Sequence, residues 1–180
     1  MNRNIIKDRI MYRGRIATVH KVTLKTSDGN TIDRDLIHYN GAVVILPVLE
    51  DGSMVFIRNY RFAVDQSLYE LPAGMLEEGE NPLKAARREL AEETGCKARK
   101  IQKLGKFYAA PGSSDELLHS YLATGLTQGK QQLERYEDIT VKILDEKKVR
   151  QMIANGKIRD AKTIATLCLY WLREGRGDCK

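Results

Sequence analysis

Apolar positions along the chain switch between a two-residue and a helical spacing. Residues 15–39 hold two β-branched runs separated by Ser27-Asp28-Gly29-Asn30, which predicts a β-hairpin. Further short runs indicate strands, and two amphipathic stretches near the end indicate helices at about 145–155 and 160–174. The predicted strand segments are 42–49, 54–62, 67–71, 101–110, 117–124 and 138–144. Because strands and helices do not alternate strictly, the pattern favours an α+β or α/β sandwich.

One further helix has clear ends in the sequence. Asn81 is a suitable N-cap, Pro82 fits the first helical position, and Gly95 is a typical C-terminal stop. Because of their helical spacing, we expect Leu83, Ala86 and Leu90 to form its inward stripe. This helix therefore spans about 82–94.

Composition and charge indicate one ordinary globular protein. The chain has 180 residues, 42% of them hydrophobic and 30% charged, and a net charge of +6. Acidic and basic residues are interleaved, so nucleic-acid binding is not favoured. The N-terminus is too charged for a signal peptide, and the longest apolar run, 42–49, is too short to span a bilayer. Three cysteines without a CxxC pair suggest a reducing, cytoplasmic location, and three scattered histidines make a zinc site improbable.

Residues 74–96, GMLEEGENPLKAARRELAEETGC, carry the candidate chemistry. Their spacing is Gly-x5-Glu-x7-Arg-Glu-aliphatic-x-Glu-Glu-x-Gly, followed by Cys96 where an aliphatic residue is usual. Chance agreement at the seven fixed positions is on the order of 10⁻⁸ per starting point. On a helix, Glu89 lies three and four residues before Glu92 and Glu93, so the carboxylates share a face and repel each other. A solvated acidic face is the plain alternative, but a hard divalent cation such as Mg²⁺ explains the cluster better.

This segment resembles the Nudix box, and its flanks are similar to those of ADP-ribose pyrophosphatases. Glu70-Leu71-Pro72-Ala73-Gly74 precedes the box, and Pro111 follows sixteen residues after Gly95. Asn59-Tyr60-Arg61 and the final DAKTIATLCLYWL also look like that subgroup. The resemblance covers roughly residues 10–174. It implies an α/β/α sandwich with a mixed central sheet, made of a Nudix domain at 41–180 and an N-terminal β-hairpin extension at 1–40 that forms a homodimer.

The resemblance also implies metal ligands and a base. Glu89 and Glu93 would be the principal ligands of Mg²⁺, with Mn²⁺ as a substitute, and Glu92 and the carbonyl of Ala73 would complete the set. Glu80 would be an outer metal contact or only a helix-terminal acid. Glu92 and Arg88 are grouped with the catalytic residues, although the position of Arg88 favours a structural ion pair with Glu92 or a loop carboxylate.

The base would lie on the loop 125–138. Glu137 is the first candidate, because it precedes the strand at 138–144, and Glu134 and Asp138 are alternatives. Each of these acids taken alone also suits a plain surface position.

The substrate would be a nucleoside diphosphate sugar. ADP-ribose is the first candidate, and GDP-mannose and ADP-glucose are the alternatives. The residues that would bind it are Arg61, Glu70, Ser113, Ser114 and Glu116. Arg61 would hold a phosphate, or else it is an ordinary arginine at a strand edge. The serines with Glu116 would face the sugar, unless Pro-Gly-Ser-Ser is only a turn. Three aromatic residues could stack on the base, although core packing is the favoured interpretation for each: Tyr12, Tyr39 and Phe62.

Two other functions use the same fold. The first is a Nudix hydrolase of RNA caps, dinucleoside polyphosphates or oxidised nucleotides. The second is a sensor that binds ADP-ribose without catalysis, which would normally lack some box carboxylates. The sequence leaves open the preferred base and sugar, the number of metals, and the phosphorus that is attacked.

Overall fold

A computed structural model describes residues 5–135 and 137–176 of the chain. The chain forms two compact units. The first contains the residues up to Gly41 together with Tyr108–Leu117, and the second contains Ala42–Phe107 and the residues from Leu118 onward. The role of the N-terminal residues as a separate, dimer-forming extension stays a prediction.

The first unit is built on a three-stranded antiparallel sheet. Its strands are β1 (Ile5–Arg13), β2 (Thr18–Lys25) and β3 (Thr31–His38), in the order β1-β2-β3. The β2–β3 pair is the predicted hairpin, with Lys25 opposite Thr31 next to the turn. Strand β1 was missed, because every one of its residues is exposed and no apolar alternation marks it. The hairpin prediction is therefore extended to a three-stranded sheet.

Within residues 5–135 and 137–176, the second unit holds seven strands and three helices. The strands are β4 (Ala42–Pro47), β5 (Met54–Arg61), β6 (Gln66–Glu70), β7 (Ala73–Met75), β8 (Cys96–Tyr108), β9 (Leu117–Gln128) and β10 (Ile139–Leu144). The helices are α1 (Pro82–Thr94), α2 (Glu146–Ala154) and α3 (Ala161–Arg173). One sheet has the order β7-β4-β9-β8, and the other has the order β10-β5-β6. In the first of these sheets β4 runs parallel to β9 and antiparallel to β7, so the predicted mixed sheet is present.

Strand β4 is buried on both faces, which explains its unbroken apolar sequence. Val44 and Leu46 belong to a cluster that also contains apolar side chains of α2 and α3. Val43 and Ile45, which point to the opposite face, belong to a cluster with α1. Helices therefore cover both faces of the sheet, and the predicted α+β sandwich is confirmed.

Helix α1 begins and ends as the sequence predicts. The Asn81 side chain accepts a hydrogen bond from the Leu83 N–H (2.9 Å), and Gly95 follows the helix with φ of +75°. The predicted inward stripe needs one correction, since Leu83 is 40% exposed. The small side chains of Ala85 and Ala86 pack against the sheet instead. The buried face continues through Glu89 and Glu93, so the candidate metal ligands lie on the inner side of the helix.

Among residues 5–135 and 137–176, no helix has the length and apolar character needed to cross a bilayer.

Candidate active site

Helix α1 and strand β7 bring two carboxylates together in a poorly solvated position. Glu89 is 9% exposed and Glu93 is 4% exposed. The Ala73 N–H of β7 donates a hydrogen bond to Glu93 Oε2 at 2.8 Å. This bond links the short strand before the box to the last turn of the helix. The structure thus places Ala73, Glu89 and Glu93 in one cluster, while a ligand role for the Ala73 carbonyl stays a prediction.

The glycine that opens the box has a steric role in this cluster. A Cβ atom added to Gly74 would overlap the carboxylate of Glu89. Only a residue without a side chain lets Glu89 lie against the backbone of β7. The first box position therefore makes room for the side chain of a candidate ligand.

Arg88 holds the box loop and the helix together. Its guanidinium pairs with Glu80 (Nη2–Oε2 2.9 Å), Glu89 (Nη1–Oε1 2.6 Å) and Glu92 (Nη1–Oε2 3.1 Å), and it also donates to the Met75 carbonyl. The expected ion pairs with Glu92 and with a loop carboxylate are both present. Glu80 binds Arg88 rather than capping the helix, and this bond lowers the pKa of Glu80.

The two buried carboxylates have an unfavourable electrostatic environment. Burial raises the pKa of Glu93 to about 8, and the charges of Glu89 and Glu137 add to this effect. Burial likewise raises the pKa of Glu89, although the neighbouring Arg88 opposes the shift. The hydrogen bond from Ala73 offsets only part of the effect at Glu93. The two carboxyl groups therefore resist ionisation in the protein alone, and a bound cation would favour their charged forms.

The candidate loop acid lies within electrostatic reach of this cluster. Glu137 raises the pKa of both Glu89 and Glu93 through its charge. Its own backbone N–H donates to the Glu134 carbonyl at 3.0 Å, and its Oε2 accepts from the Glu134 N–H at 2.8 Å. Glu134 and Asp138 are both exposed, whereas Glu137 is half-buried. Burial and the electrostatic effect on Glu89 and Glu93 distinguish Glu137 from the other two acids, and its role as base stays a prediction.

Arg61 is held by a second network in the same unit. Its Nε and Nη2 donate to Glu70 at 2.8 and 2.7 Å, in a bidentate pair. Glu70 is fully buried, and Lys162 donates to its Oε2 at 2.5 Å and to Asp160 at 2.9 Å. The charge of Arg61 lowers the pKa of Glu93, so the two networks are electrostatically coupled. Glu70 thus contacts Arg61 and Lys162, and its expected role in substrate binding stays a prediction.

Sequence reasoning missed Lys162. The residue lies in the first turn of α3, two positions after the N-cap Asp160, and this local pattern gives no sign of a partner 92 residues earlier.

The donor chemistry fits a hard divalent cation, although no group of three or more His, Cys, Asp or Glu side chains within the described residues is already arranged to hold a metal ion. Arg88 donates hydrogen bonds to Glu89 Oε1 and Glu92 Oε2. A nearby cation would stabilise the ionised form of these buried carboxylates, whose pKa values are raised. Their oxygen atoms are the donors that Mg²⁺ prefers.

The remaining predicted substrate residues belong to the first unit. The Ser113 carbonyl accepts from the Ile37 N–H at 2.9 Å, and the Ser114 hydroxyl donates to the Ala110 carbonyl at 3.3 Å. The Ala109 N–H donates to the Glu116 carbonyl. The expected turn at Pro-Gly-Ser-Ser is present. A role of Ser113, Ser114 and Glu116 in sugar binding stays a prediction.

The core-packing interpretation is wrong for two of the three aromatic residues. Tyr12 and Phe62 are exposed, Phe62 by 85%, and Tyr39 is half-buried. Tyr12 lies on a strand exposed on both faces, so it has no core to pack against.

The fold and the carboxylate helix define a class of metal-dependent hydrolase. The NUDIX domain model matches residues 38–167, and the chain therefore belongs to the Nudix family. Nudix ADP-ribose pyrophosphatases generally use a divalent metal.

Several known proteins are similar to this chain over more than nine tenths of its length. It is 30% identical over 174 residues to an ADP-ribose pyrophosphatase of Bacillus subtilis (strain 168), with 96% of this chain and 94% of that protein aligned. It is 31% identical over 173 residues to a methanol dehydrogenase activator of Bacillus methanolicus, with coverages of 94% and 92%. A GDP-mannose pyrophosphatase of Shigella flexneri is 33% identical over 177 residues, with coverages of 91% and 92%.

A solved structure of an ADP compounds hydrolase has the same fold. It superposes with a TM-score of 0.86 at 23% sequence identity, and the match covers 98% of this chain and 97% of that chain.

Proposed function

We propose that the protein is a Mg²⁺-dependent pyrophosphohydrolase that cleaves nucleoside diphosphate sugars into a nucleoside monophosphate and a sugar phosphate. The observation that carries this proposal is the buried pair Glu89 and Glu93 on the inner face of α1, with Glu137 in electrostatic reach. A protein interior tolerates such a pair when a cation neutralises it. The relatives that act on ADP-ribose and on GDP-mannose support the substrate class.

The residues divide into those that hold the cation and one that moves a proton. Glu89 and Glu93 would hold the cation, with Glu92 and the Ala73 carbonyl as further ligands, and Mn²⁺ as a substitute for Mg²⁺. The bound cation would neutralise the pyrophosphate and lower the pKa of a water molecule. Glu137 would accept the proton of that water as the general base. Arg88 would keep Glu80, Glu89 and Glu92 in place rather than contact the substrate.

Arg61 would bind a phosphate of the substrate. Its Nε and Nη2 face Glu70, which leaves Nη1 without a partner among the described residues. A bidentate carboxylate partner fixes the plane of a guanidinium, so the remaining nitrogen has a defined direction. We assign Glu70 a positioning role in this arrangement, and Lys162 supports it from the other side.

ADP-ribose is the first substrate to test, and the protein is expected to act in the cytoplasm as a homodimer. GDP-mannose and ADP-glucose are the alternatives in the same class. The dimer would form through residues 1–40, where strand β1 exposes apolar side chains at the edge of its sheet.

The decisive experiment is a hydrolysis assay on a substrate panel in ¹⁸O water with Mg²⁺. The panel contains ADP-ribose, GDP-mannose, ADP-glucose, NADH, diadenosine polyphosphates and capped RNA. We expect the highest kcat/KM on a nucleotide sugar, with ¹⁸O in one of the two phosphate products, and the labelled product identifies the attacked phosphorus. Preference for capped RNA or dinucleoside polyphosphates would contradict the proposed substrate class. Tight ADP-ribose binding without any hydrolysis would instead indicate a sensor.

A further inference from the structure

The carboxyl end of α1 leaves backbone carbonyls that no residue of the helix can satisfy. Two of them belong to the candidate metal ligands Glu92 and Glu93. The Glu92 carbonyl accepts from the Gln132 backbone N–H at 2.9 Å, and the Glu93 carbonyl accepts from Gln131 Nε2 at 2.6 Å. The segment that follows β9 is thus bound directly to the backbone of the ligand-bearing turn.

Two neighbouring carbonyls are bound by the same segment. The Thr94 carbonyl accepts from Gln128 Nε2 at 3.2 Å, and the Gly95 carbonyl accepts from the Gly129 N–H at 2.8 Å. Four consecutive carbonyls of the helix end are therefore satisfied by residues 128–132, which we call the anchor segment. Such complete pairing fixes the anchor segment relative to α1, because breaking it would leave several acceptors unsatisfied.

The anchor segment leads directly to the candidate base. Glu137 follows Gln132 by five residues, and its charge reaches both Glu89 and Glu93. The position at which the segment leaves α1 therefore limits where the Glu137 carboxylate can lie. Gln131 supplies a side-chain hydrogen bond in this anchor, and its acceptor is the backbone of a candidate ligand.

We propose that Gln131 is a positioning residue that acts through Glu137, by holding the loop acid in register with the carboxylates of α1. This inference rests on the proposed function. A reacting group that is displaced by about 1 Å can lose on the order of 100-fold in rate, so partial loosening has a measurable effect. Gln131 would change the rate of the chemical step and leave substrate affinity nearly unchanged.

The chain offers a matched control at the next position. Gln132 has an exposed side chain, and its contribution to the anchor segment is a backbone N–H that a side-chain substitution keeps. Gln131→Met and Gln132→Met both replace an amide by an apolar group of similar length. Only the first removes a hydrogen bond to α1.

The test compares kcat and KM on the preferred substrate for both variants, in the wild-type and the Glu137→Gln backgrounds. We expect Gln131→Met to lower kcat about tenfold with KM nearly unchanged, and to cause no further loss in the Glu137→Gln background. We expect Gln132→Met to match the parent protein. Equal kcat for the two methionine variants, or the same fold loss in both backgrounds, would overturn the proposal.

Amide hydrogen exchange on the metal-free protein tests the anchor segment without activity. Gln131→Met should speed exchange at the Gly129 and Gln132 amides, whereas Gln132→Met should leave the Gly129 amide unchanged. Unchanged protection in Gln131→Met would overturn the proposal even in an active enzyme. A wild-type protein inactive on the whole panel would contradict the proposed function, and the exchange rates would still show whether Gln131 holds the segment.

Discussion

At the scale of single residues, the buried charge of Glu93 has a consequence for stability. Its folded-state pKa is about 8, against an ordinary value of 4.5, so the folded protein binds the proton more tightly than the unfolded chain. The contribution of the Glu93 proton to stability is therefore fully present below about pH 4.5 and is lost as the pH rises through about 8. We expect the metal-free protein to lose on the order of a few kcal/mol across this interval.

Urea unfolding in EDTA at several pH values measures this loss. Glu93→Gln should remove most of the slope and lower turnover by more than about 100-fold, since even the outer partners of metal ligands are worth 10- to 100-fold. Glu78→Gln is the matched control, because Glu78 is an exposed glutamate of the same box. An active Glu93→Gln enzyme would refute the metal-site assignment.

Gly74 gives a prediction that separates activity from stability. Gly74→Ala forces the Glu89 carboxylate away from β7, and because a flexible side-chain end can move, the fold should lose little stability. We expect a fall in kcat of about 100-fold or more, on the grounds of ligand displacement. Gly79→Ala should instead lose stability and keep its kcat. Gly79 has a left-handed φ of +72°, but the space around it is open. Steady-state kinetics and thermal unfolding of both variants test the contrast.

At the scale of elements, the sequence predicts structure where the signal is local. The caps of α1 lie within a few residues of the helix, and the β2–β3 hairpin is marked by its own turn. Strand β1 has no buried face to create an apolar alternation, and β7 has only three residues. Both were missed for these reasons.

The candidate site divides in the same way. The box spacing predicts that Glu89 and Glu93 share a helix face, because helical geometry is local. The partnership of Lys162 with Glu70 joins residues 92 positions apart, and Gln131 reaches α1 across 38 positions. Such pairs form only when elements that are distant in the sequence pack together, and a single sequence does not show which elements do so.

Gly95 tests the junction of α1 with the anchor segment. Gly95→Ala must adopt a left-handed φ of +75° and would place a Cβ 2.7 Å from the Gly129 carbonyl oxygen. The control is Gly156→Ala, which has φ of +72° and nothing within 4 Å. The control should lose about 1 kcal/mol from the left-handed conformation alone. We expect Gly95→Ala to lose more, because its neighbour is backbone; equal losses in chemical denaturation would show that the junction is loose.

At the scale of the whole molecule, the net positive charge does not extend to the candidate site. The net charge of +6 coexists with a box whose acidic residues outnumber its basic ones. Arg88 and Arg61 are already paired with carboxylates, so the chain's positive excess does not neutralise Glu93. A cation from solution therefore fits the site better than a basic side chain of the protein, and a small pyrophosphate can bind beside it.

The proposed homodimer would form through the first unit. Strand β1 is an edge strand, and its exposed apolar side chains include Ile10 (40% exposed) and Tyr12 (64% exposed). Exposed apolar groups at a strand edge favour association with another copy. We expect the wild type to sediment as a dimer and Ile10→Glu to shift it toward monomer in analytical ultracentrifugation. Ile143→Glu is the control, because Ile143 is 62% exposed in the second unit. A monomeric wild type, or equal dissociation by Ile143→Glu, would exclude this surface as the dimer interface.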